Sequence, residues 1–260
     1  MSSESKTPIS AAVITFNEER NIGRCIDSLS GVADEIVVLD SGSTDRTRTI
    51  CEEKGVRFST RTFTDYADQK NAVAALAAHD MVLSLDADEA LSENLRSALL
   101  TVKERPAADA YRFNRLTYYC GTPVRHSGWY PDAKVRLYNR QKARWTGRLI
   151  HERITVQEGG RTEHLNGDLL HYSFYTVGQH MDTVNNFSER KAQLMYEKGR
   201  GAPFWKMILT PPVKFLKIYL LKAGFLDGEA GFHIAVNSAH GDYLKYAKLR
   251  ILRSQGRTEA

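Results

Sequence analysis

Met81-Val-Leu-Ser-Leu-Asp86-Ala-Asp88-Glu89 is a run of apolar and small residues that ends abruptly in three carboxylates. Such a run, bounded by charge, reads as a buried strand that stops at a polar rim. The same pattern recurs upstream. Ile9–Thr15 is a β-branched apolar run, and Glu35–Leu39 ends at Asp40-Ser-Gly-Ser, a turn signal. Val56–Thr60 is a weaker third run. Helical signals fill the gaps: Asn17 to about Ser30, Ser43 or Thr44 to about Gly55, and the alanine-rich Tyr66–Ala78. A further helix runs from Ser92 to about Glu104 and stops before Pro106. Strands alternating with helices of this length mean βαβ units and a mostly parallel sheet. Ligands of such sheets bind at the carboxyl ends of the strands. Those ends, Thr15-Phe-Asn-Glu, Asp40-Ser-Gly-Ser and Asp86-Ala-Asp-Glu, are expected to converge on one rim.

The second half reads differently. Residues 110–157 are irregular strands and loops rich in Arg and aromatics, Thr176–Lys198 is one long helix, and a last helix spans about Tyr243–Leu252. The expected organisation is 1–110 as a ligand-binding half, 111–175 as a second half of the same domain, and 176–260 as a helical C-terminal region.

The chain has 260 residues, 42% hydrophobic and 26% charged, which excludes a disordered, collagenous or coiled-coil protein. Cys25, Cys51 and Cys120 form no disulfide framework and no zinc spacing, so a reducing, cytoplasmic compartment is expected. Met1 to Pro8 is polar and lacks the apolar core of a secretory signal. Phe204–Leu226 is apolar, yet Lys206, Pro211, Pro212, Lys214, Lys217 and Lys222 interrupt it, so it does not read as a spanning helix. An interfacial segment at lipid headgroups and a core helix with snorkelling lysines both fit it. The net charge of +5 hides opposed blocks. Residues 1–110 hold 12 basic and 19 acidic side chains, 111–153 hold 10 and 2, and 200–260 hold 10 and 4. Opposed blocks suggest charged partners. The basic residues sit in loops with no nucleic-acid reader motif, so nucleic acid is not among those partners.

Asp86 and Asp88, two residues apart just past a strand, can turn toward one hard divalent cation, and Mg²⁺ or Mn²⁺ is often shared with substrate phosphates. The alternative is a solvated loop with Glu89 at a helix start. In Asp40-Ser-Gly-Ser-Thr-Asp45, Gly42 lets the backbone approach a ligand closely; the same residues also suit a turn and helix cap. No Gly-x-Gly-x-x-Gly and no Walker lysine loop is present, against a dinucleotide oxidoreductase or a P-loop enzyme. A phosphatase with an aspartyl-phosphate intermediate would place its aspartates after the first strand, and here they follow the fourth.

Taken together, Ala12-Val-Ile-Thr-Phe-Asn-Glu-Glu, Val38-Leu-Asp-Ser-Gly-Ser-Thr-Asp, Gln69-Lys-Asn and Leu85-Asp-Ala-Asp-Glu resemble the family 2 glycosyltransferases. That family has the α/β GT-A nucleotide-diphospho-sugar transferase fold, a Rossmann-like sheet flanked by helices, here with a helical C-terminal extension. Arg136-Leu-Tyr, Gly147-Arg-Leu-Ile-His151-Glu152, His171-Tyr and Gly224-Phe-Leu-Asp-Gly-Glu-Ala-Gly-Phe are similar to the subgroup of lipopolysaccharide or lipooligosaccharide core β-1,4-glucosyltransferases. The resemblance implies that Thr15, Asn17, Glu18, Asp40, Gly42, Gln69, Lys70, Asn71, Asp86 and Ala87 line the nucleotide-sugar site, with Asp40 on the base. It implies a metal, Mg²⁺ or Mn²⁺, on Asp86 and Asp88, with His171 as a third ligand. An inverting transfer needs a carboxylate base for the acceptor hydroxyl. Glu152 is the first candidate and Asp132 the second.

The implied reaction moves a hexose, in the simplest case glucose from UDP-glucose, to a lipid-linked anionic glycan such as lipopolysaccharide core. It implies peripheral contact with the inner face of the cytoplasmic membrane. The basic block suits such an acceptor, through Arg112, Arg115, Arg125, Arg136, Arg140 and Arg144. Trp129, Tyr130 and Trp145 are candidates for stacking on sugars or for core positions. The alternative is an inactive, membrane-binding protein with a transferase-like domain.

Overall fold

The computed structural model describes residues 6–147 and 152–258. Arg148 and His151 of the resemblance lie outside the described residues. The strands β1 (Ile9–Thr15), β2 (Glu35–Asp40), β3 (Arg57–Thr60) and β4 (Met81–Asp86) alternate with helices α1 (Ile22–Ser28), α2 (Thr47–Glu53) and α3 (Tyr66–Leu76). They pair in parallel in the order β3-β2-β1-β4. All seven residues of β1 are buried, because helices cover both of its faces. Its side chains alternate accordingly. Ile9, Ala11 and Val13 pack with Ile22 and Leu29, whereas Ala12 and Ile14 pack with Val73 and Ala74 of α3.

After β4 come a two-residue turn, β5 (Glu89–Leu91) and α4 (Glu93–Glu104). Ser92 caps α4, its hydroxyl accepting from the Leu95 N–H at 3.3 Å. The stretch expected to be irregular forms strands: β6 (Ala110–Tyr119), β7 (Thr122–Pro123), β8 (Ala133–Asn139), β9 (Ala143–Thr146), β10 (Arg153–Val156) and β11 (Thr162–Phe174). The large sheet continues β4-β8-β6-β11-β5, with β8 antiparallel to β4 and to β6, so it is parallel at one end and antiparallel at the other. β9 and β10 form a separate antiparallel pair.

The chain divides into two compact units. One comprises the chain through Leu116 with Asp132–Tyr172; the other comprises Thr117–Pro131 with Ser173 onward. In the second unit, α5 (Val177–Glu197) starts at a capping box: Gln179 N–H donates to Thr176 Oγ1, and Thr176 N–H donates to Gln179 Oε1. α6 (Phe204–Leu216) runs into a π turn at Lys217–Leu221 and a 3-10 turn at Gly224–Asp227. The last helix, α7 (Gly228–Thr258), is far longer than the expected Tyr243–Leu252. Its glycines disguise it in the sequence. Gly231 must lack a side chain, because a Cβ there would lie 1.8 Å from the Gly224 carbonyl oxygen. Asp227 ties this region to the 125–127 loop: its carboxylate accepts from the N–H groups of Arg125 and His126, and from Ser127 Oγ at 2.7 Å. Among the described residues, no helix is long and apolar enough to cross a membrane.

Candidate active site

The strand register brings the three expected ends together. Thr15 pairs with Asp40, and Ile14 with Asp86. Asn17 adopts φ +53° and locks onto the next loop, where its N–H donates to Ser43 Oγ and its Oδ1 accepts from Thr44 N–H, both at 2.8 Å. Gly42, at φ +95°, occupies the left-handed region that favours glycine. Asp40 is buried and grips its own loop. Its Oδ2 accepts from the N–H groups of Gly42 and Ser43 at 2.8 Å each, and Ser43 Oγ donates to Oδ1. Asp40 therefore shapes the loop as well as edging the site. Gln69 is fully buried and donates to Ser41 Oγ at 3.2 Å. Thr15 Oγ1 and Gln69 Oε1 are buried without a hydrogen-bond partner among the described residues, which marks them as groups that a ligand can satisfy.

Behind this rim lies a chain of charges. Lys70 Nζ sits 3.0 Å from Asp86 Oδ1. Arg136 Nη2 sits 3.1 Å from Asp86 Oδ2 and 2.7 Å from Glu89 Oε1. Glu89 Oε2 also accepts the Asp86 N–H at 2.9 Å. Arg115 Nη1 lies 3.9 Å from Glu89, and the same guanidinium bonds Asp132 at 2.8 Å. Lys70, Glu89 and Arg136 are all buried. Burial raises the Asp86 carboxyl, but the cations of Lys70 and Arg136 outweigh it and hold Asp86 below the usual carboxylate range. Burial wins at Glu89, whose carboxyl is pushed up even beside Arg136. Trp145 floors the cluster. Lys70 Nζ lies 4.4 Å from its ring centroid, its Nε1 donates to Ser84 Oγ, and Asn71 bonds both its N–H and its carbonyl.

Asp88 is separate from this chain. It sits in the turn after β4 and faces β11, where His171 Nε2 is 3.1 Å from its Oδ2 and Tyr172 N–H donates to its carbonyl oxygen. Glu18 belongs to the same locality. Burial, with the anions of Asp88 and Asp45, pushes its carboxyl up to about 7 despite a hydrogen bond from Asn21. Among the described residues, no three acidic, His or Cys side chains converge as a ready metal site. In the Asp88–His171 pair the carboxylate is a donor that both Mg²⁺ and Mn²⁺ take, whereas the imidazole suits Mn²⁺ better than Mg²⁺, which prefers oxygen. Asp86 is already neutralised by two cations.

Glu152 is half-buried, just before β10. Asp132 is engaged by Arg115 and by Lys134 at 3.0 Å. The basic band divides. Arg115 and Arg136 belong to the charge chain, and Arg140 bonds Asp80 and the carbonyls of Ala74 and Ala77. Arg112 and Arg144 are exposed and face solvent, and Arg125 is exposed in the second unit. Trp145 is core and not a stacking platform. Trp129 packs with Tyr119, Phe174 and His180 in the second unit. The residue least visible in the sequence was Glu89, for which a helix-start charge was the alternative to a place in the motif. Its place inside the sheet, paired with β11, was signalled only by the apolar Ala90-Leu91 that follow it.

This geometry is that of an α/β protein whose strand ends form a polar rim beside paired buried charges. The profile of the Glycosyl transferase family 2 family matches residues 10–167. The chain is 33% identical, over 94% of its length and 92% of the relative's, to the lipopolysaccharide core biosynthesis glycosyltransferase LpsC of Rhizobium meliloti (strain 1021). It is 28% identical to an uncharacterized glycosyltransferase, RT0209, of Rickettsia typhi, over 96% of this chain and 89% of that one. Among solved structures, glucosyl-3-phosphoglycerate synthase from Mycobacterium tuberculosis, in complex with Mn²⁺, UDP and glucosyl-3-phosphoglycerate, aligns over 44% of each chain at 25% identity and a TM-score of 0.35. The chain belongs to glycosyltransferase family 2, and its α/β fold is the GT-A fold of nucleotide-diphospho-sugar transferases.

Proposed function

We propose that this protein is an inverting hexosyltransferase. It moves a hexose, in the simplest case glucose from UDP-glucose, to a hydroxyl of an anionic lipid-linked glycan such as lipopolysaccharide core. The observation that carries this reading is the meeting of Thr15, Asp40 and Gln69 with the Asp86–Lys70–Arg136 cluster at one rim of the sheet. The likeness to a lipopolysaccharide core transferase over nearly the full chain supports the acceptor class, and with it a place at the inner face of the cytoplasmic membrane.

In this reading, Thr15 Oγ1 and Gln69 Oε1 satisfy their open valences on the donor. Asp40, Asn17 and Gly42 keep the base-side loop in shape, and Asn71 and Ala87 line the donor through the backbone they fix. Asp88 and His171 would hold the divalent ion, with Glu18 beside them. When bound, that ion neutralises charge developing on the leaving diphosphate. Lys70 and Arg136 keep Asp86 ionised and oriented toward the donor. Glu152 takes the proton from the acceptor hydroxyl, and exposed Arg112 and Arg144 meet the acceptor's anionic groups.

The test is a calorimetric and hydrolytic screen of nucleotide sugars with Mg²⁺, Mn²⁺ and chelator. The expected result is metal-dependent binding of one uridine sugar, lost in Asp88→Ala with the far-UV spectrum unchanged. Full turnover in Asp88→Ala would remove the metal role. Failure of every nucleotide sugar to bind would remove the transferase reading.

A further inference from the structure

The helix α6 and the π turn after it expose the wrong residues for a water-facing surface. Along 204–221, exposed pairs recur every four residues: Phe204/Trp205, Ile208/Leu209, Pro212/Val213, Leu216/Lys217 and Leu220/Leu221. Nine of these ten are apolar or proline. The positions between them, which include Thr210, Lys206 and Lys214, are half-buried, and Ile218 is buried. Phe215 and Tyr219 use that inner face to stack on each other and to meet Phe232 of α7. A helix on a soluble surface shows the reverse pattern, with its apolar stripe turned inward. The exposure is large where it matters, reaching 63% at Val213 and 83% at Leu221. The 3-10 turn prolongs the face with Phe225 and Leu226, also exposed. A continuous apolar patch of this kind marks an interaction surface.

Charge selects the occupant. Residues 204–226 contain Lys206, Lys214, Lys217 and Lys222 and not one Asp or Glu. Lysines around an apolar stripe, with aromatic side chains at one end, match an anionic headgroup layer over hydrocarbon. An apolar protein partner gives no reason to exclude every acid. Because α6 is too short and too interrupted to span, the segment lies in the interface plane.

We infer that the exposed face of Phe204–Leu226 inserts into the headgroup region of an anionic bilayer and holds this unit at the membrane surface. The inference gives a physical basis to the membrane location proposed above. It rests on that reading only for its setting, because lipid binding is measured without donor or acceptor.

The experiment is flotation of the full chain with vesicles of pure phosphatidylcholine, or with about one-third phosphatidylglycerol, at low and high salt. Two variants accompany the wild type: Val213→Glu/Leu220→Glu, which places charge on exposed apolar sites, and Lys214→Glu/Lys217→Glu. Circular dichroism checks their fold, and donor hydrolysis checks the first unit independently. The expected result is binding to the anionic vesicles, weakened at least ten-fold by the apolar-to-acid variant. It should also weaken about five-fold or more per lysine reversed, following the usual worth of a basic residue at an anionic surface. The inference fails if the wild type floats with neither vesicle, or if Val213→Glu/Leu220→Glu floats unchanged. It fails equally if the wild type does not float but sediments as a dimer that this variant dissolves, for then a second copy covers the face. Retained donor hydrolysis alongside any of these failures leaves the transferase reading standing.

Discussion

Replacing Arg136 by Met tests the charge chain at its centre. The guanidinium is 3% exposed and bridges Asp86 and Glu89 at 3.1 and 2.7 Å. Met keeps much of the volume and removes the charge. Asp86 then retains Lys70, but Glu89, fully buried, is left with Arg115 at 3.9 Å as its cation. Breaking one side of a buried ion pair costs about 3–5 kcal/mol. Glu89 has an escape, because burial already pushes its carboxyl up, and loss of Arg136 pushes it further. Below that raised value the side chain takes a proton and the penalty shrinks, by up to about 1.4 kcal/mol per pH unit. The cost of Arg136→Met should therefore be largest at alkaline pH and should shrink as pH falls through the raised value of Glu89. Adding Glu89→Gln removes the stranded charge while keeping an acceptor for the Asp86 N–H. The double variant should recover at least about half of the loss at pH 8. Hydrogen exchange under denaturant, read on peptides from β4 and β8, reports this unit alone. A loss that does not change with pH, or a double variant as unstable as the two single losses added, would refute the reasoning.

Three further outcomes are expected. Glu152→Gln should lower transfer about 10²-fold or more, as loss of a general base does, whereas Asp132→Asn should act mainly on stability by freeing Arg115 and Lys134; kcat and urea midpoints separate the two. Glu18, at about 7 when folded against an ordinary 4.5, binds its proton more tightly in the native state, so the first unit should lose stability as pH rises from about 4.5 through 7, and Glu18→Gln should flatten that slope in urea midpoints. His180 behaves oppositely. Burial, with the nearby His233, lowers it to about 4, so the unfolded chain binds its proton first, and exchange on α5 peptides should show the second unit losing stability as pH falls from about 6.5 to 4.

The parallel half of the fold was legible because β1, most of β2 and β4 are buried. They therefore read as unbroken apolar runs, and each ends where polarity begins. The antiparallel half was not, because strands such as β6 and β8 carry Arg112, Arg115 and Arg136 between apolar positions, and their pairing spans distant sequence. Arg136 looked like one of several surface cations. Only the sheet, which places β8 beside β4, shows that it points inward at Asp86 and Glu89. α7 was hidden for a different reason. Glycine lowers helix propensity, and Gly228, Gly231 and Gly241 interrupt its pattern. At Gly231 the missing side chain is what lets the Gly224 carbonyl approach. The face of Phe204–Leu226 was ambiguous in sequence because an interfacial helix and a core helix share a composition. Which of its residues are exposed is set by packing, and composition does not contain it.

The two aspartates of the Asp86-Ala-Asp88 motif are unequal, and the difference follows from where the strand ends. Asp86 is the last residue in register with β1, so its carboxylate is flanked by α3, which supplies Lys70, and by β8, which supplies Arg136. Asp88 lies beyond the register, in the turn to β5, and meets β11 instead. Around Asp86 the charges already balance, with Lys70 and Arg136 against Asp86 and Glu89. Asp88 instead lies near the anions of Glu18 and Asp45, with His171 Nε2 at 3.1 Å from its Oδ2. Burial first, and then the anions of Asp88 and Asp45, raise the Glu18 carboxyl. The turn after β4, which carries Asp88, thus faces the end of β11, where His171 lies.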